Sequence, residues 1–174
     1  MATVDEMLLT ILKNEGGFTN HPDDHGGATN WGVTIGEYGV FLGRKATVAD
    51  VREMPIEHAK TIFAKKYYVG PGIDKLPAGI QPVVFDASVL YGPKRAIIFL
   101  QKILNVGADG SIGPATIAAA DNAVKLIGID SLINAYCDSR IEFCQAIVRN
   151  NPSQRVFIKG WTNRANSFRP KVKK

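Results

Sequence analysis

The sequence has few of the residues that define disulfide-rich domains. Only two cysteines occur among its 174 residues. Cys137 and Cys144 lie two turns apart in a stretch with helical periodicity, which separates them by about 10 Å, whereas a disulfide needs Cα atoms within about 7 Å. Both are therefore predicted to be free thiols in the core of a protein that is synthesised in the cytoplasm.

Long apolar runs are also absent. No stretch reaches the roughly 18 apolar residues that a membrane span requires, so stable membrane insertion is not expected. The first ten residues, M-A-T-V-D-E-M-L-L-T, contain two acids and no basic residue, so they do not have the pattern of a secretory signal.

Negative charge is the scarcer sign, and the net charge is +5 at pH 7. This excess favours polyanionic partners such as nucleic acid, acidic lipid or an anionic cell wall. Four positive residues lie in the terminal segment 169–174. This segment is either a solvated tail or a basic segment that binds a polyanion. The other basic residues are scattered and form no recognition motif, so nucleic acid is not an expected partner.

Apolar periodicity predicts a mainly α protein with one core, in one or two lobes. A capping box at Thr3 and Glu6 begins the first helix, which Gly16 and Gly17 end. The stretch 18–39 is rich in Gly, Asn, Asp and Thr and is predicted to be a long loop with a short hairpin near 31–35. Further helices are predicted at 47–53, 55–68, 81–91, 92–104, after the turn at 106–116, at 130–150 and at 157–168.

Residues 14–34 concentrate the polar side chains that could do chemistry: N-E-G-G-F-T-N-H-P-D-D-H-G-G-A-T-N-W-G-V-T. Glu15 follows Leu8, Ile11 and Leu12 at helical spacing, which predicts that it lies on the buried face of the first helix. Partial burial and the negative end of the helix dipole would both raise the pKa of this carboxyl. A protonated acid near neutral pH is what general acid catalysis of glycoside cleavage needs. The alternative is an exposed glutamate at a frayed helix end.

The loop after Glu15 supplies further candidates. Asp23 or Asp24 could position a water or stabilise positive charge, and Thr29 offers a hydroxyl. His21 and His25 also suggest a metal site, but their segment H-P-D-D-H has no helix to bring both imidazoles to one side. No third group of ligands occurs elsewhere in the sequence, so neither a metal nor another cofactor is predicted.

The same stretch resembles the signature of glycoside hydrolase family 108, which is roughly E-G-G-aromatic followed by D-x-G-G-x-T-N-x-G-hydrophobic-T. The chain matches this pattern at positions 15–18 and 24–34. Members of the family are lysozyme-like N-acetylmuramidases of phages, prophages and bacterial secretion systems. The resemblance implies a mainly α, lysozyme-like fold with two helical lobes around a central helix and a short loop or β-hairpin near the active site.

The resemblance also implies residue roles. Glu15 would be the general acid, Asp24 the base or electrostatic partner, and Thr29 the group that holds the water. Asp23 is the rival for the role of Asp24, although the spacing to the second Gly-Gly pair favours Asp24. The candidate substrate-binding residues are Trp31, Asn30, Thr34 and Tyr68, with the two aromatic rings suited to stacking on sugars.

We expect residues 1–91 to form the lysozyme-like catalytic region and residues 92–174 a helical C-terminal segment packed into the same globule. The second segment resembles the predicted peptidoglycan-binding part of the family, although its D-G-S-I-G-P-A-T stretch also fits a simple turn that starts a helix. Leu90 stands where the family commonly has asparagine. Asp86 lies in an apolar run and needs a partner, which is expected to be the backbone or an arginine, with a place in the sugar groove as the alternative.

Together these implications predict hydrolysis of the β-1,4 bond between N-acetylmuramic acid and N-acetylglucosamine by a bacteriolytic endolysin, encoded by a phage or prophage. The alternatives are a lytic transglycosylase and a non-catalytic wall-binding or secretion-accessory protein. The expected partner is the glycan strand of peptidoglycan. The protein is expected to be a monomer that acts in the periplasm and cell wall after export by a holin or a dedicated secretion system.

Overall fold

The computed structural model describes residues 3–20 and 27–171, but not the side chains of Asn14 and Glu15. Two short strands, β1 (Thr29–Asn30) and β2 (Val33–Thr34), pair antiparallel. The fold is mainly α, as predicted. The helices are α1 (Val4–Glu15), α2 (Ile35–Leu42), α3 (Val48–Arg52), α4 (Ile56–Ala64), α5 (Gln81–Tyr91), α6 (Pro93–Ile103), α7 (Pro114–Ile127), α8 (Ile129–Asn150) and α9 (Ile158–Asn166). Shorter helical turns are the π-helical turn Lys65–Val69 and the 3-10 turns Ile73–Lys75 and Pro152–Phe157.

The chain divides into two compact units, Ala2–Lys66 and Tyr67–Lys174, which we call the N-terminal and C-terminal units. In the N-terminal unit α1 packs against α4, and in the C-terminal unit α5 packs against α6 and α8 against α9. The predicted division between residues 91 and 92 concerns function and stays a prediction. Within the described ranges, no helix combines the length and apolar character that a membrane crossing requires.

Capping boxes fix the starts of α1, α2 and α3 in the N-terminal unit. In each, a threonine hydroxyl accepts a hydrogen bond from the backbone three residues later, and the acidic side chain at that position accepts one in return. The box at Thr3 was predicted. The prediction of a loop through residue 39 is wrong, because α2 begins at Ile35. The sequence T-I-G-E at 34–37 is itself a capping box, but Gly36 and Gly39 lowered the helix propensity of the segment.

Two other predictions need a smaller correction. The helix expected at 55–68 ends as α4 at Ala64, and the π-helical turn Lys65–Val69 continues the chain. The sequence predicted that Arg169 belongs to a solvated tail or to a basic segment that binds a polyanion. In the structure, Arg169 is instead fixed by hydrogen bonds to Asp138 (2.5 Å) and Asn166 (2.7 Å). Residues 172–174 lie outside the described part of the chain.

The C-terminal unit follows its predicted helices closely. α5 and α8 lie within a residue of the segments that apolar periodicity indicated. Cys137 and Cys144 are buried free thiols, as predicted.

Candidate active site

α1 provides the base of the site. Its residues Leu8, Ile11 and Leu12 are buried, as the helical spacing predicted. Glu15 is the last residue of α1, and Gly16 follows it with φ of 88°, a backbone conformation that favours glycine. The backbone of Glu15 therefore lies at the negative end of the helix dipole.

A single antiparallel bridge closes the segment that follows α1. Thr19 and Thr29 exchange two backbone hydrogen bonds of 2.8 and 2.9 Å, and their hydroxyl oxygens lie 2.6 Å apart. The bridge joins the two ends of the segment that carries Asp23 and Asp24, which lie outside the described residues. It also holds Thr29 beside a residue that is only four positions from the end of α1.

Three threonines are aligned across this small sheet. Thr29 pairs with Thr19 on one side and with Thr34 on the other. Directly opposed residues of antiparallel strands project to the same face, so Thr19, Thr29 and Thr34 form a row of hydroxyls, which we call the threonine row. A hydroxyl has one donor and two acceptor positions, so the bond to Thr19 leaves Thr29 able to hold a water molecule.

The hairpin of β1 and β2 is held by hydrogen bonds to backbone carbonyls of residues 51–54. Trp31 and Gly32 have φ of 54° and 74°, the positive values that a two-residue type I′ turn requires. Such a φ is strained for tryptophan, but the indole Nε1–H donates to the carbonyl of Met54 at 3.3 Å. The side-chain amide of Asn30 is buried and donates to the carbonyls of Val51 and Arg52, at 2.9 and 3.2 Å. Substrate binding by Asn30 and Trp31 stays a prediction, while anchoring of the hairpin is what the structure shows.

An ion pair lies at the end of the threonine row. The Thr34 hydroxyl donates to Glu37 at 3.0 Å, and Lys66 donates to the other oxygen of that carboxylate at 2.6 Å. Partial burial would raise the pKa of Glu37, but the hydrogen bonds from Lys66 and the Thr34 backbone lower it below its usual value. The carboxylate is therefore ionised at neutral pH, and Thr34 caps α2; its predicted contact with substrate stays untested.

Sequence reasoning missed two residues of this region. Thr19 was not recognised as the partner of Thr29, although the repeated Thr-Asn pairs at 19–20 and 29–30 flank the loop symmetrically. Arg52, at the end of α3, places its guanidinium 4.8 Å from the ring centroid of Phe18, the aromatic residue of the E-G-G-aromatic pattern. No local pattern in the sequence indicates this cation–π contact.

Tyr68, the remaining predicted substrate-binding residue, belongs to the C-terminal unit. Its hydroxyl donates to Gln81 at 2.6 Å, and its ring meets the edge of Phe85 with centroids 5.7 Å apart. Burial raises the pKa of Tyr68. The phenol is thus neutral and held in place, and a role in sugar stacking stays a prediction.

The C-terminal unit buries a charged cluster. Asp86 accepts hydrogen bonds from Arg140 at 2.5 Å and from Arg164 at 2.9 and 3.0 Å. Burial would lower the pKa of Arg140, but attraction to Asp86 raises it, so the guanidinium stays charged. The prediction that Asp86 pairs with an arginine is confirmed; its role in holding the fold stays a prediction.

The turn before α7 is held by one buried amide. Gln101 accepts from the backbone of Gly110 at 2.8 Å and donates to Asp109, to the carbonyl of Ser111 and to the Thr116 hydroxyl, at 2.8, 2.9 and 3.2 Å. Thr116 therefore bonds across the turn to α6. These contacts give the D-G-S-I-G-P-A-T stretch a structural role.

In the described part of the chain, no group of three or more histidine, cysteine, aspartate or glutamate residues could hold a metal ion. His21, Asp23, Asp24 and His25, which were weighed as metal ligands, lie outside it. His58 instead makes a 2.8 Å hydrogen bond between its Nδ1 and the hydroxyl of Tyr38.

The chain is similar to known proteins over most of its length. The family model described as "Glycosyl hydrolase 108" matches residues 8–92, and that described as "Predicted Peptidoglycan domain" matches residues 95–166. A search of curated proteins finds no match. Among solved structures, SagA of Brucella abortus is 31% identical, with 97% of this chain and 96% of that chain covered and a TM-score of 0.63.

The match at residues 8–92 contains the end of α1, the threonine row and the anchored hairpin. The second match contains Arg140 and Arg164 of the charged cluster and the turn held by Gln101, whereas Asp86 lies within the first match. The mainly α architecture is that of the lysozyme-like folds. With a relative of this identity over nearly the whole of both chains, the protein belongs to the glycosyl hydrolase 108 family, as a glycoside hydrolase that acts on peptidoglycan.

Proposed function

We propose that the protein is an N-acetylmuramidase that hydrolyses the β-1,4 bond between N-acetylmuramic acid and N-acetylglucosamine. The observation that carries this proposal is the bridge between Thr19 and Thr29. It joins the two ends of the segment that contains Asp24, and it holds Thr29 beside Thr19, which lies only four residues after Glu15.

In the proposed mechanism Glu15 protonates the glycosidic oxygen as the bond to the leaving sugar breaks. A water held by Thr29 and Asp24 attacks the anomeric carbon and transfers its proton to the Asp24 carboxylate. This arrangement inverts the anomeric centre if the two carboxyl groups lie about 6.5–9.5 Å apart, whereas a separation of about 5 Å would make Asp24 a nucleophile and retain the configuration.

The decisive experiment replaces Glu15 with glutamine. The Glu15→Gln variant should keep its circular dichroism spectrum and its binding to purified sacculi, but lose at least about 100-fold in the rate of turbidity loss, because glutamine cannot donate the proton. Glu53→Gln, an exposed glutamate of the same unit, is the matched control and should keep full activity. Lysis by Glu15→Gln at the wild-type rate would overturn the assignment of the acid.

Analysis of the released ends identifies the bond. A muramidase leaves N-acetylmuramic acid at the reducing end, and a glucosaminidase leaves N-acetylglucosamine there. A lytic transglycosylase, the second chemistry of this class, leaves an anhydro sugar because no water is added. If the wild-type protein binds sacculi but releases no ends, a non-catalytic wall-binding or secretion-accessory role replaces the proposal.

We also propose that the protein acts as a monomer in the periplasm and cell wall as a phage or prophage endolysin. The glycan substrate lies beyond the cytoplasmic membrane, and the proposed routes to it are a holin pore or a dedicated secretion system. Expression with and without a holin tests the first route. Lysis that needs the holin supports it, and equal lysis without one contradicts it.

A further inference from the structure

A cavity of about 510 Å³ opens in the N-terminal unit at α2 and the end of α4. Its volume lies in the range of roughly 300–1,000 Å³ that is typical of small-ligand pockets. Apolar and charged side chains line it in equal number: Val40, Phe41 and Ile62, and Glu37, Lys65 and Lys66.

Two apolar side chains of this cavity are exposed to water. Val40 is 84% exposed and Phe41 39% exposed. The Phe41 ring is held in place, because it stacks on Tyr38 with centroids 6.0 Å apart and contacts the tilted ring of His58 at 4.8 Å. Covering these side chains would gain about 25 cal/mol for each Å² of apolar surface removed from water, which favours an apolar occupant.

The cavity is linked to the threonine row through Glu37. Glu37 lines it and also accepts the hydrogen bond of Thr34, the last member of the threonine row. Thr34 in turn pairs with Thr29. A polymer bound along the threonine row therefore has the cavity beside it, within one compact unit.

The charged side chains give the cavity a positive edge. Lys66 pairs with Glu37, whereas Lys65 is exposed and makes no ion pair with any described residue. A second cavity of about 480 Å³ shares Val40 and is also lined by Lys45 and by Arg44, which pairs with Asp50. An occupant that matches this surface carries carboxylates together with small apolar groups.

We propose that the cavity holds the peptide stem of peptidoglycan, with stem carboxylates at Lys65 and alanine methyl groups on Val40 and Phe41. In intact peptidoglycan the glycan is uncharged, because each lactyl carboxyl is amide-linked to the stem, so the glycan does not match the ammonium group of Lys65. The inference rests on the proposed function and deepens it, because it makes the stem a determinant of substrate choice.

The kinetic test uses two substrates, intact peptidoglycan and the same glycan strands after an amidase has removed the stems. Lys65→Glu and Val40→Asn should each raise KM on intact peptidoglycan by about fivefold with little change in kcat, because an exposed contact contributes up to about 1 kcal/mol. On stem-free strands both variants should equal the wild type. Equal losses on the two substrates, or no loss on intact peptidoglycan, overturn the proposal.

Matched controls come from α7 of the C-terminal unit. Lys125→Glu reproduces the change in net charge of Lys65→Glu, and Leu126, 83% exposed, matches Val40 for Leu126→Asn. Neither control should separate the two substrates. If Lys125→Glu has the same effect as Lys65→Glu, the attraction is one of overall charge and the cavity is not the binding site.

A binding measurement separates this inference from the proposed function. The peptide L-alanyl-γ-D-glutamyl-diaminopimelic acid, which contains no glycosidic bond, is titrated into the wild-type protein by isothermal calorimetry. Binding that weakens about fivefold in Lys65→Glu supports the inference even if the protein cleaves neither substrate. Absence of binding overturns it while leaving muramidase activity intact. Sedimentation of the wild type and Val40→Asn completes the test, because a dimer abolished by this substitution would show that a second copy covers the cavity.

Discussion

Among the described residues, a buried ion pair occurs in the C-terminal unit only, although that unit also has the exposed pair of Arg169 and Asp138. In the N-terminal unit the ion pairs are exposed or half-buried and lie at helix starts, as in the bidentate contact between Arg44 and Asp50. In the C-terminal unit Asp86 and Arg140 are both buried, and Tyr91 and Phe168 lie over the guanidinium at 5.8 and 5.6 Å. Buried charges demand a fixed partner, whereas exposed ones can exchange it for water or ligand. The contrast assigns a structural task to the C-terminal cluster and leaves the N-terminal polar groups available for substrate.

The strongest test of this contrast removes the buried carboxylate. Asp86→Asn should lower the free energy of unfolding by about 3–5 kcal/mol, because Arg140 is then left buried without a counter-charge. Urea denaturation measures the change. Asp50→Asn, at the exposed pair with Arg44, is the control and should have a much smaller effect. Similar losses in the two variants would remove the distinction between the units.

A double variant sharpens the result. Asp86→Leu combined with Arg140→Met removes both buried charges and should recover part of the stability that either change alone loses. Arg164 is 43% exposed and can turn to solvent in this background. No recovery would mean that Asp86 acts through some other contact.

The second prediction concerns the acidic segment of the N-terminal unit. Asp24→Asn should lower the rate of reducing-end release by at least about 100-fold, whereas Asp23→Asn should keep most of the activity. Stability should change little in either variant. The reverse ranking would transfer the role of second carboxylate to Asp23.

The third prediction is a modest loss of stability at the threonine row. Thr34→Ala removes the N-cap of α2 and should cost about 1 kcal/mol, while Thr34→Ser keeps the hydroxyl and should be nearly neutral. Thermal unfolding followed by circular dichroism measures both. An equal loss in the serine variant would point to the methyl group rather than to the cap.

The smallest predicted effects are changes in stability with pH, at low pH for Glu37 and at high pH for Tyr91. The pKa of Glu37 is lowered from its ordinary 4.5, so its contribution is present above that pH and is lost as the pH falls through the lowered value. Burial and the hydrogen bond with Cys144 raise the pKa of Tyr91 from 10.0 to about 12, so its contribution is complete below 10 and is lost as the pH rises through about 12. Loss of the Glu37 contribution should weaken the N-terminal unit in acid, and loss of the Tyr91 contribution should weaken the C-terminal unit in alkali.

The two tryptophans allow each unit to be followed separately. Trp161→Phe leaves Trp31 as the fluorescent reporter of the N-terminal unit, and Trp31→Phe leaves Trp161 for the other. Glu37→Gln should remove part of the acid response, and Tyr91→Phe part of the alkaline one. Identical pH responses from both reporters would contradict the contrast.

Local patterns predicted most of the helices, because capping boxes and apolar spacing act within a few residues of chain. They predicted the start of α1, the buried face formed by Leu8, Ile11 and Leu12, and the bounds of α5 and α8. They failed at α2, where two glycines outweighed a capping box that was present in the sequence. Helix propensity is a weak guide when tertiary packing covers the segment.

The sequence predicted the motif of the site but not the contacts between its distant residues. The pattern around Glu15 and Thr29 gave the family, but the pairing of Thr19 with Thr29 depends on which strands meet, and the contact of Arg52 with Phe18 joins distant parts of the unit. Such contacts are set by the fold rather than by local spacing. The roles of Asp24 and Tyr68 in catalysis and binding stay predictions.

The bridge between Thr19 and Thr29 has a consequence for how the enzyme can be varied. Because one backbone pair fixes both ends of the intervening segment, the length of that segment is decoupled from the position of Thr29. Each doubling of a flexible loop costs only about 0.6 kcal/mol in closure entropy. Insertions between the two threonines should therefore cost little stability, because α1 and the hairpin keep their registration.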